Sequence, residues 1–151
     1  MEPPDAERVE RSAELRFGHP VEVAFEMFTP EGERAWAPGW DPRPVTPSGE
    51  TGVPDAVFTT DHGGAHAVWF VVELDRERRR VGYVNFVAGT RVTRVDVACD
   101  AAGPSDTVAT VRYVVTGLSD AGNAYAREFD ANFEATMAHW QSAIASALHT
   151  G

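Results

Sequence analysis

The C-terminal stretch of the chain constrains its fold most. From Ser119 to Leu148 there is no proline, and large apolar side chains recur at steps of three or four residues. That spacing is typical of one face of an α-helix, and charged side chains occupy the opposite face. The pattern predicts a long amphipathic helix that packs on another layer through an unusually aromatic stripe: Tyr125, Phe129, Phe133, Met137, Trp140, Ile144 and Leu148.

The region before this helix has the alternation of apolar and polar residues that is typical of β-strands. A first strand is expected over 9–17, followed by two short helices that begin at Pro20 and Pro30, the second running to about Trp36. Further strands with hairpin-length connections are predicted over about 55–61, 66–75, 79–87, 90–100 and 107–117.

These elements predict one α+β domain over residues 8–149, preceded by a disordered tail over 1–7. The expected architecture is a helix-grip fold, in which a curved antiparallel sheet of six to seven strands wraps around the long C-terminal helix. Two short helices follow the first strand. A long helix laid along such a sheet tends to enclose a cavity, and aromatic walls would suit a small, mostly apolar ligand.

A long connection rich in proline and glycine separates the second short helix from the later strands. It spans about 37–54, and connections of that length are often lids or binding loops. Trp36 and Trp40 stand at its beginning, so we expect them at the mouth of a pocket. Trp69 and Trp140 fit a cavity wall and an ordinary core position equally well.

Composition sets limits on function. The chain of 151 residues carries 13 Lys and Arg against 23 Asp and Glu, a formal net charge of −10 that opposes binding to phosphates. We therefore expect no nucleic-acid partner. We also expect no membrane insertion, because no apolar run approaches the length of a membrane span. Without an apolar signal region near the start, a cytoplasmic location is expected.

Residues that suggest metal or thiol chemistry have simpler explanations. His62 and His66, with Asp61, flank a Gly-Gly turn and do not complete a coordination shell, so we interpret them as a solvated turn. The lone Cys99 belongs to an alternating strand and is expected to be a buried structural thiol. The sequence therefore predicts neither a metal nor a tightly bound cofactor.

Three segments carry a resemblance to a known superfamily: FTPEGERAWAPGWDP, the hairpins VFTT, VWFVVELD and VGYVNF, and LSDAGNAYAREF leading into the last helix. Together with the element order, they resemble the START-like helix-grip superfamily (SRPBCC) over residues 8–149. That superfamily includes polyketide cyclase/dehydrase-like proteins, lipid-transfer proteins and plant allergens. The resemblance implies the fold and supplies no catalytic motif, because fold does not determine chemistry.

The leading hypothesis is a carrier or sensor that binds a small hydrophobic or aromatic molecule between the helix and the sheet. An aromatase/cyclase-type enzyme is the alternative, with Tyr83, Asn85, Arg91 or Tyr113 as polar groups and His66 at the rim. For Arg91 we favour a solvent-exposed position. A co-chaperone-like interaction module and a homodimer stay open. The predicted ligand-binding residues are Trp36, Trp40, Phe58, Trp69, Tyr83, Asn85, Arg91, Tyr113, Phe129, Phe133 and Met137.

Overall fold

The computed structural model describes residues 5–45, 49–62 and 64–150. These residues form one seven-stranded antiparallel sheet and a long C-terminal helix, which confirms the predicted α+β class and element order. The elements are β1 (Arg8–Phe17), α1 (Val21–Glu26), a 3₁₀ helix (Gly32–Ala35), β2 (Arg43–Pro44), β3 (Val57–His62), β4 (Ala65–Asp75), β5 (Arg80–Val87), β6 (Arg91–Gly103), β7 (Asp106–Gly117) and α2 (Asp120–Thr150).

The sheet is a meander that the first strand closes. Its spatial order is β1-β7-β6-β5-β4-β3-β2, so β1 pairs with the last strand and every neighbouring pair is antiparallel. Short connections join β3 through β7, as the hairpin prediction required. α2 lies across the sheet and packs against β1 and β7. Its buried side chains and those of α1 and the sheet share one apolar core.

The start of α2 is fixed by local chemistry. Ser119 is its N-cap residue, since its Oγ accepts a hydrogen bond from the Gly122 N–H at 3.1 Å. A Cβ atom on Gly122 would overlap the backbone carbonyl oxygen of Thr90. Glycine is therefore required where the first turn of α2 touches the β5–β6 connection, and this contact sets the distance between the helix and the sheet.

Three local features differ from the predictions. The second short helix is a single 3₁₀ turn, in which the Thr29 Oγ accepts a hydrogen bond from the Gly32 N–H at 3.1 Å. The long connection includes the two-residue strand β2, paired with β3. In β4 the pairing with β5 shifts between Val71 and Glu73, so the inward positions change parity there.

The predicted tail over 1–7 falls partly outside the described residues, which begin at Asp5. Asn123 donates a hydrogen bond from its Nδ2 to the Asp5 carbonyl oxygen at 2.9 Å. The same side chain accepts one from the Glu7 N–H, also at 2.9 Å. Residues 5–7 are thus attached to the beginning of α2.

Cys99 is buried in β6, as predicted. Burial raises the pKa of its thiol to about 12, so the thiolate that nucleophilic chemistry needs is suppressed at neutral pH. This residue belongs to the core and has no place in the site described below.

Candidate functional site

A cavity of about 510 Å³ lies between α2 and the sheet. The 3₁₀ helix and the beginning of the long connection complete its wall. Most of the large side chains that line it are aromatic: Trp36, Trp40, Trp69, Tyr113, Tyr125, Phe129 and Trp140. The polar lining side chains are Glu33, Thr60, Asn85, Arg91, Thr93, Thr136 and His139.

α2 presents two stripes to the rest of the molecule. With about 100° of rotation per residue, the centres of the two stripes are roughly 80–90° apart around the helix axis. The first, which we call the cavity stripe, consists of Tyr125, Phe129, Thr136, His139 and Trp140. The second, the core stripe, consists of Ala126, Phe133, Met137, Ile144 and Leu148, all buried.

Three tryptophans on the cavity wall are fixed by their own indole N–H groups. The Trp36 Nε1–H donates to the Met27 carbonyl oxygen, and the Trp40 Nε1–H donates to the Pro30 carbonyl oxygen, each at 2.7 Å. The third, Trp69, donates to the Thr60 Oγ at 2.9 Å. Because their polar atoms are occupied, these rings present rigid apolar faces to the cavity.

The wall continues as contacts between rings. The Trp36 and Trp140 centroids lie 5.0 Å apart, and those of Trp40 and Trp69 lie 5.2 Å apart. Edge-to-face arrangements of this kind are favourable and hold the rings in place. A planar aromatic ligand would meet ring edges and faces that are already ordered.

The sheet contributes Asn85 and Tyr113, on strands whose alternation directs both inward. Asn85 lies opposite Thr93 in the β5–β6 pair, and only 7% of its surface is exposed. In the described parts of the chain neither the Asn85 amide nor the Tyr113 hydroxyl has a hydrogen-bond partner. Burial raises the pKa of Tyr113 well above its usual range, and the charge of Glu33 raises it further.

Arg91 also lines the cavity, which corrects the solvent-exposed position that we favoured. Its guanidinium carbon lies 3.6 Å above the centroid of the Tyr125 ring. No carboxylate among the described residues forms an ion pair with it. Arg91 lines the cavity because the preceding residue, Thr90, contacts Gly122. This contact brings the start of β6 close to the first turns of α2.

The sequence analysis missed several residues of the cavity wall, and Glu33 is the one among them that carries a carboxyl group. It lies in the 3₁₀ helix and lines the cavity, and its carboxylate has no hydrogen-bond or ion-pair partner in the described chain. Burial raises its pKa well above the usual range of a glutamate. A 3₁₀ helix places residues three apart on one face, so the spacing of Glu33 from Trp36 was the signal that could have located it.

Of the predicted ligand-binding residues, the structure brings seven together around the cavity: Trp36, Trp40, Trp69, Asn85, Arg91, Tyr113 and Phe129. Ligand contact by these residues stays a prediction. The other four lie in the core: Phe58, Tyr83, Phe133 and Met137.

Each misplacement has a physical reason. The Tyr83 hydroxyl donates a hydrogen bond to the Phe28 carbonyl oxygen at 2.7 Å, so its polar end is occupied. The Phe58 ring is stacked behind Trp69 at 5.7 Å. Phe133 and Met137 belong to the core stripe, which the sequence pattern does not separate from the cavity stripe.

His66, named as a rim candidate, lies on the other side of β4. Its Nδ1 is 2.8 Å from the Asp61 Oδ1, and both side chains are exposed. Among residues 5–45, 49–62 and 64–150, no group of three or more His, Cys, Asp or Glu side chains could hold a metal ion. No helix in those ranges is long and apolar enough to span a membrane.

Comparison with known proteins defines the fold. Neither the family models nor the curated proteins that were compared with this chain match it. Solved structures do match. One is norcoclaurine synthase from Thalictrum flavum in complex with dopamine and hydroxybenzaldehyde, with a TM-score of 0.68 at 9% sequence identity. The match covers 96% of this chain and 88% of that chain.

Two further structures are similar over almost the whole chain. The Zhui aromatase/cyclase from Streptomyces sp. R1128 gives a TM-score of 0.65 at 14% identity, with 95% of this chain and 94% of that chain covered. Ara h 8.0201 gives 0.68 at 15% identity, with 96% and 100% covered. The chain therefore has the helix-grip fold of these proteins, as the resemblance to SRPBCC proteins implies.

Proposed function

We propose that this protein binds a small aromatic molecule in the cavity between α2 and the sheet, as a carrier or sensor. One observation carries the proposal: the aromatic wall includes four polar side chains, Glu33, Asn85, Arg91 and Tyr113, that have no partner among the described residues. These polar groups line the cavity, where a ligand with complementary groups can form hydrogen bonds with them.

The similar structures support a ligand of this class. One of them is a complex with dopamine and hydroxybenzaldehyde, both small aromatic molecules. The cavity of about 510 Å³ is within the usual range for small-molecule sites. A cytoplasmic location and a homodimer stay predictions of the sequence.

Native mass spectrometry of protein purified from its own host would identify a co-purifying molecule. Binding itself can be tested with a naphthalene probe and tryptophan fluorescence. Ala67 lines the cavity, so Ala67→Phe should fill part of it and weaken binding at least tenfold. Val68 precedes Trp69 on the outward side of β4, and Val68→Phe is the matched control, with affinity unchanged. Probe binding that appears only on partial unfolding would contradict the proposal.

An enzyme is the second candidate, and the Glu33 carboxyl favours it. A desolvated carboxyl with a raised pKa is suited to proton transfer. Glu33 is half-buried in the cavity wall, and its side chain has no hydrogen-bond or ion-pair partner among the described residues. Among the similar structures, the aromatase/cyclase is an enzyme by name. If the protein turns over a ketide substrate, Glu33→Gln should lower kcat at least a hundredfold with affinity nearly unchanged. Absence of turnover in the parent protein supports the carrier.

A further inference from the structure

Arg91 lines the cavity, and its hydrogen-bond donors have no partner in the part of the chain that the structure describes. The Arg91 guanidinium is stacked on the face of Tyr125, with its carbon 3.6 Å from the ring centroid. Stacking uses the face of the planar group and leaves its N–H donors, which lie in the plane, available. A carboxylate accepts two such donors side by side, which makes the guanidinium a selective anion-binding group.

The charge of the cavity is opposite to that of the whole protein. Arginine stays protonated at any physiological pH, whereas burial favours the neutral form of Glu33, and no cation offsets that effect. The other titratable groups on the wall are Tyr113, Tyr125 and His139, and none of them is a carboxylate. The chain has a formal net charge of −10, yet the charged group that we assign to its cavity is the positive guanidinium of Arg91.

We propose that the cavity selects aromatic molecules that carry an anionic oxygen group, a carboxylate or a phenolate. This inference rests on the proposed function. Arg91 binds this group, and the protonated carboxyl of Glu33 donates a hydrogen bond to a neutral oxygen elsewhere on the ligand. The aromatic rings between the two residues hold the body of the ligand.

The two polar residues belong to different ends of the cavity. Arg91 lies over Tyr125, near the beginning of α2, whereas Glu33 is three residues from Trp36, whose ring contacts Trp140. Ring contacts connect the two ends: the centroid distances are 6.3 Å from Tyr125 to Phe129, 4.9 Å from Phe129 to Tyr113 and 6.0 Å from Tyr113 to Trp140. A ligand with its anionic group at one end and a neutral acceptor towards the other fits this division.

Three probes with the same ring system test the charge preference: 2-naphthoate, 2-naphthylmethanol and 2-naphthylmethylammonium. The anion should bind at least tenfold more tightly than the alcohol, and the cation should bind most weakly. Arg91→Met, and Arg91→Gln as a second variant, should remove the preference. Arg94→Met is the matched control, because Arg94 lies on the outward face of β6 with its guanidinium on Asp96.

The pH dependence tests the role of Glu33. As pH rises, ionisation of Glu33 places a negative charge in the cavity, so naphthoate affinity should fall severalfold. Glu33→Gln should bind with no such fall, while Glu31→Gln, an exposed carboxylate on Arg34, should behave like the parent. His139 also lines the cavity, so the series is repeated in a His139→Gln background.

The outcomes separate this inference from the proposed function. If none of the three probes binds, the proposed function fails and the inference fails with it. If all three bind with equal affinity, or if the anion preference persists in both Arg91 variants, the cavity binds aromatic molecules without selecting anions and this inference alone is overturned. If the ammonium probe binds more tightly than naphthoate, the inference is also overturned. The cavity would then select cations, with the Glu33 carboxylate as the group that binds them.

Discussion

The core stripe and the cavity stripe of α2 are neighbours on one helix, yet they meet the sheet in different ways. Phe133 and Ile144 of the core stripe are 1% and 0% exposed, and they pack against a solid apolar core. Phe129 and Trp140 of the cavity stripe are partly exposed and line the cavity together with polar groups that have no partner among the described residues. The difference shows that one amphipathic helix can stabilise the fold with one stripe and line a cavity with the other.

The largest expected effect is the loss of an aromatic side chain from the core stripe. Phe133→Ala should lower the free energy of unfolding by about 3–5 kcal/mol, since it removes a fully buried ring from a close-packed core. Phe129→Ala removes the same ring from the cavity stripe and should cost less than half as much. Urea denaturation followed by circular dichroism measures both. Equal losses would show that the two stripes do not differ in packing.

The next effect concerns the contact that positions both stripes. Gly122→Ala should lower the free energy of unfolding by about 1–3 kcal/mol, the usual range for overpacking, because a Cβ atom would overlap the Thr90 carbonyl oxygen. It should do so although alanine favours a helix by about 1 kcal/mol. Gly18→Ala is the control, since the nearest atom to its Cβ would be 4.0 Å away. A more stable Gly122→Ala variant would contradict the contact.

The sequence predicts the part of this architecture that depends on the spacing of apolar residues and on the residues that begin and end each element. The step of three or four residues in α2, the alternation in the strands and the hairpin connections give the fold and its order. The division of α2 into two stripes depends on what the sheet places opposite each residue, and a pattern of apolar spacing cannot show that. Thus Phe133 and Trp140 look alike in the sequence, but one is core and the other is cavity wall.

The polar groups of the site were harder to predict. Asn85 and Tyr113 were named as candidate polar groups, and the structure has both on the cavity wall. Alternation could not show that Arg91, at the end of a strand, is covered by α2, because that depends on the contact of Gly122 with Thr90. Glu33 lies in a 3₁₀ turn too short for a periodic pattern, so its spacing of three residues from Trp36 was the one signal of its position. Its cavity position follows from the tertiary structure.

A smaller effect distinguishes the two regions by pH. The pKa of Glu33 is raised in the folded state, so the folded protein binds the proton more tightly than the unfolded chain does. Stability should therefore fall as pH rises from about 4.5 through the raised pKa. Glu33→Gln removes this loss and should be more stable than the parent above that range.

Thermal or urea unfolding of Glu33→Gln and the parent at pH 4 and pH 8 measures the difference. Glu31→Gln, whose carboxylate is exposed, should show no gain that grows with pH. If the Glu33 variant gains nothing at pH 8, its carboxylate is solvated or paired in solution. The cavity would then lack the desolvated polar group that we assign to it.

The smallest expected effect comes from two tyrosines that each lie opposite Val95 on neighbouring strands. The Tyr83 hydroxyl donates to the Phe28 carbonyl oxygen, so Tyr83→Phe should cost about 0.5–1.5 kcal/mol of unfolding free energy. The Tyr113 hydroxyl has no partner among the described residues, so Tyr113→Phe should leave stability nearly unchanged and alter probe affinity instead. A stability loss at Tyr113 equal to that at Tyr83 would mean that its hydroxyl already has a partner within the protein. A ligand would then have one polar group fewer to satisfy.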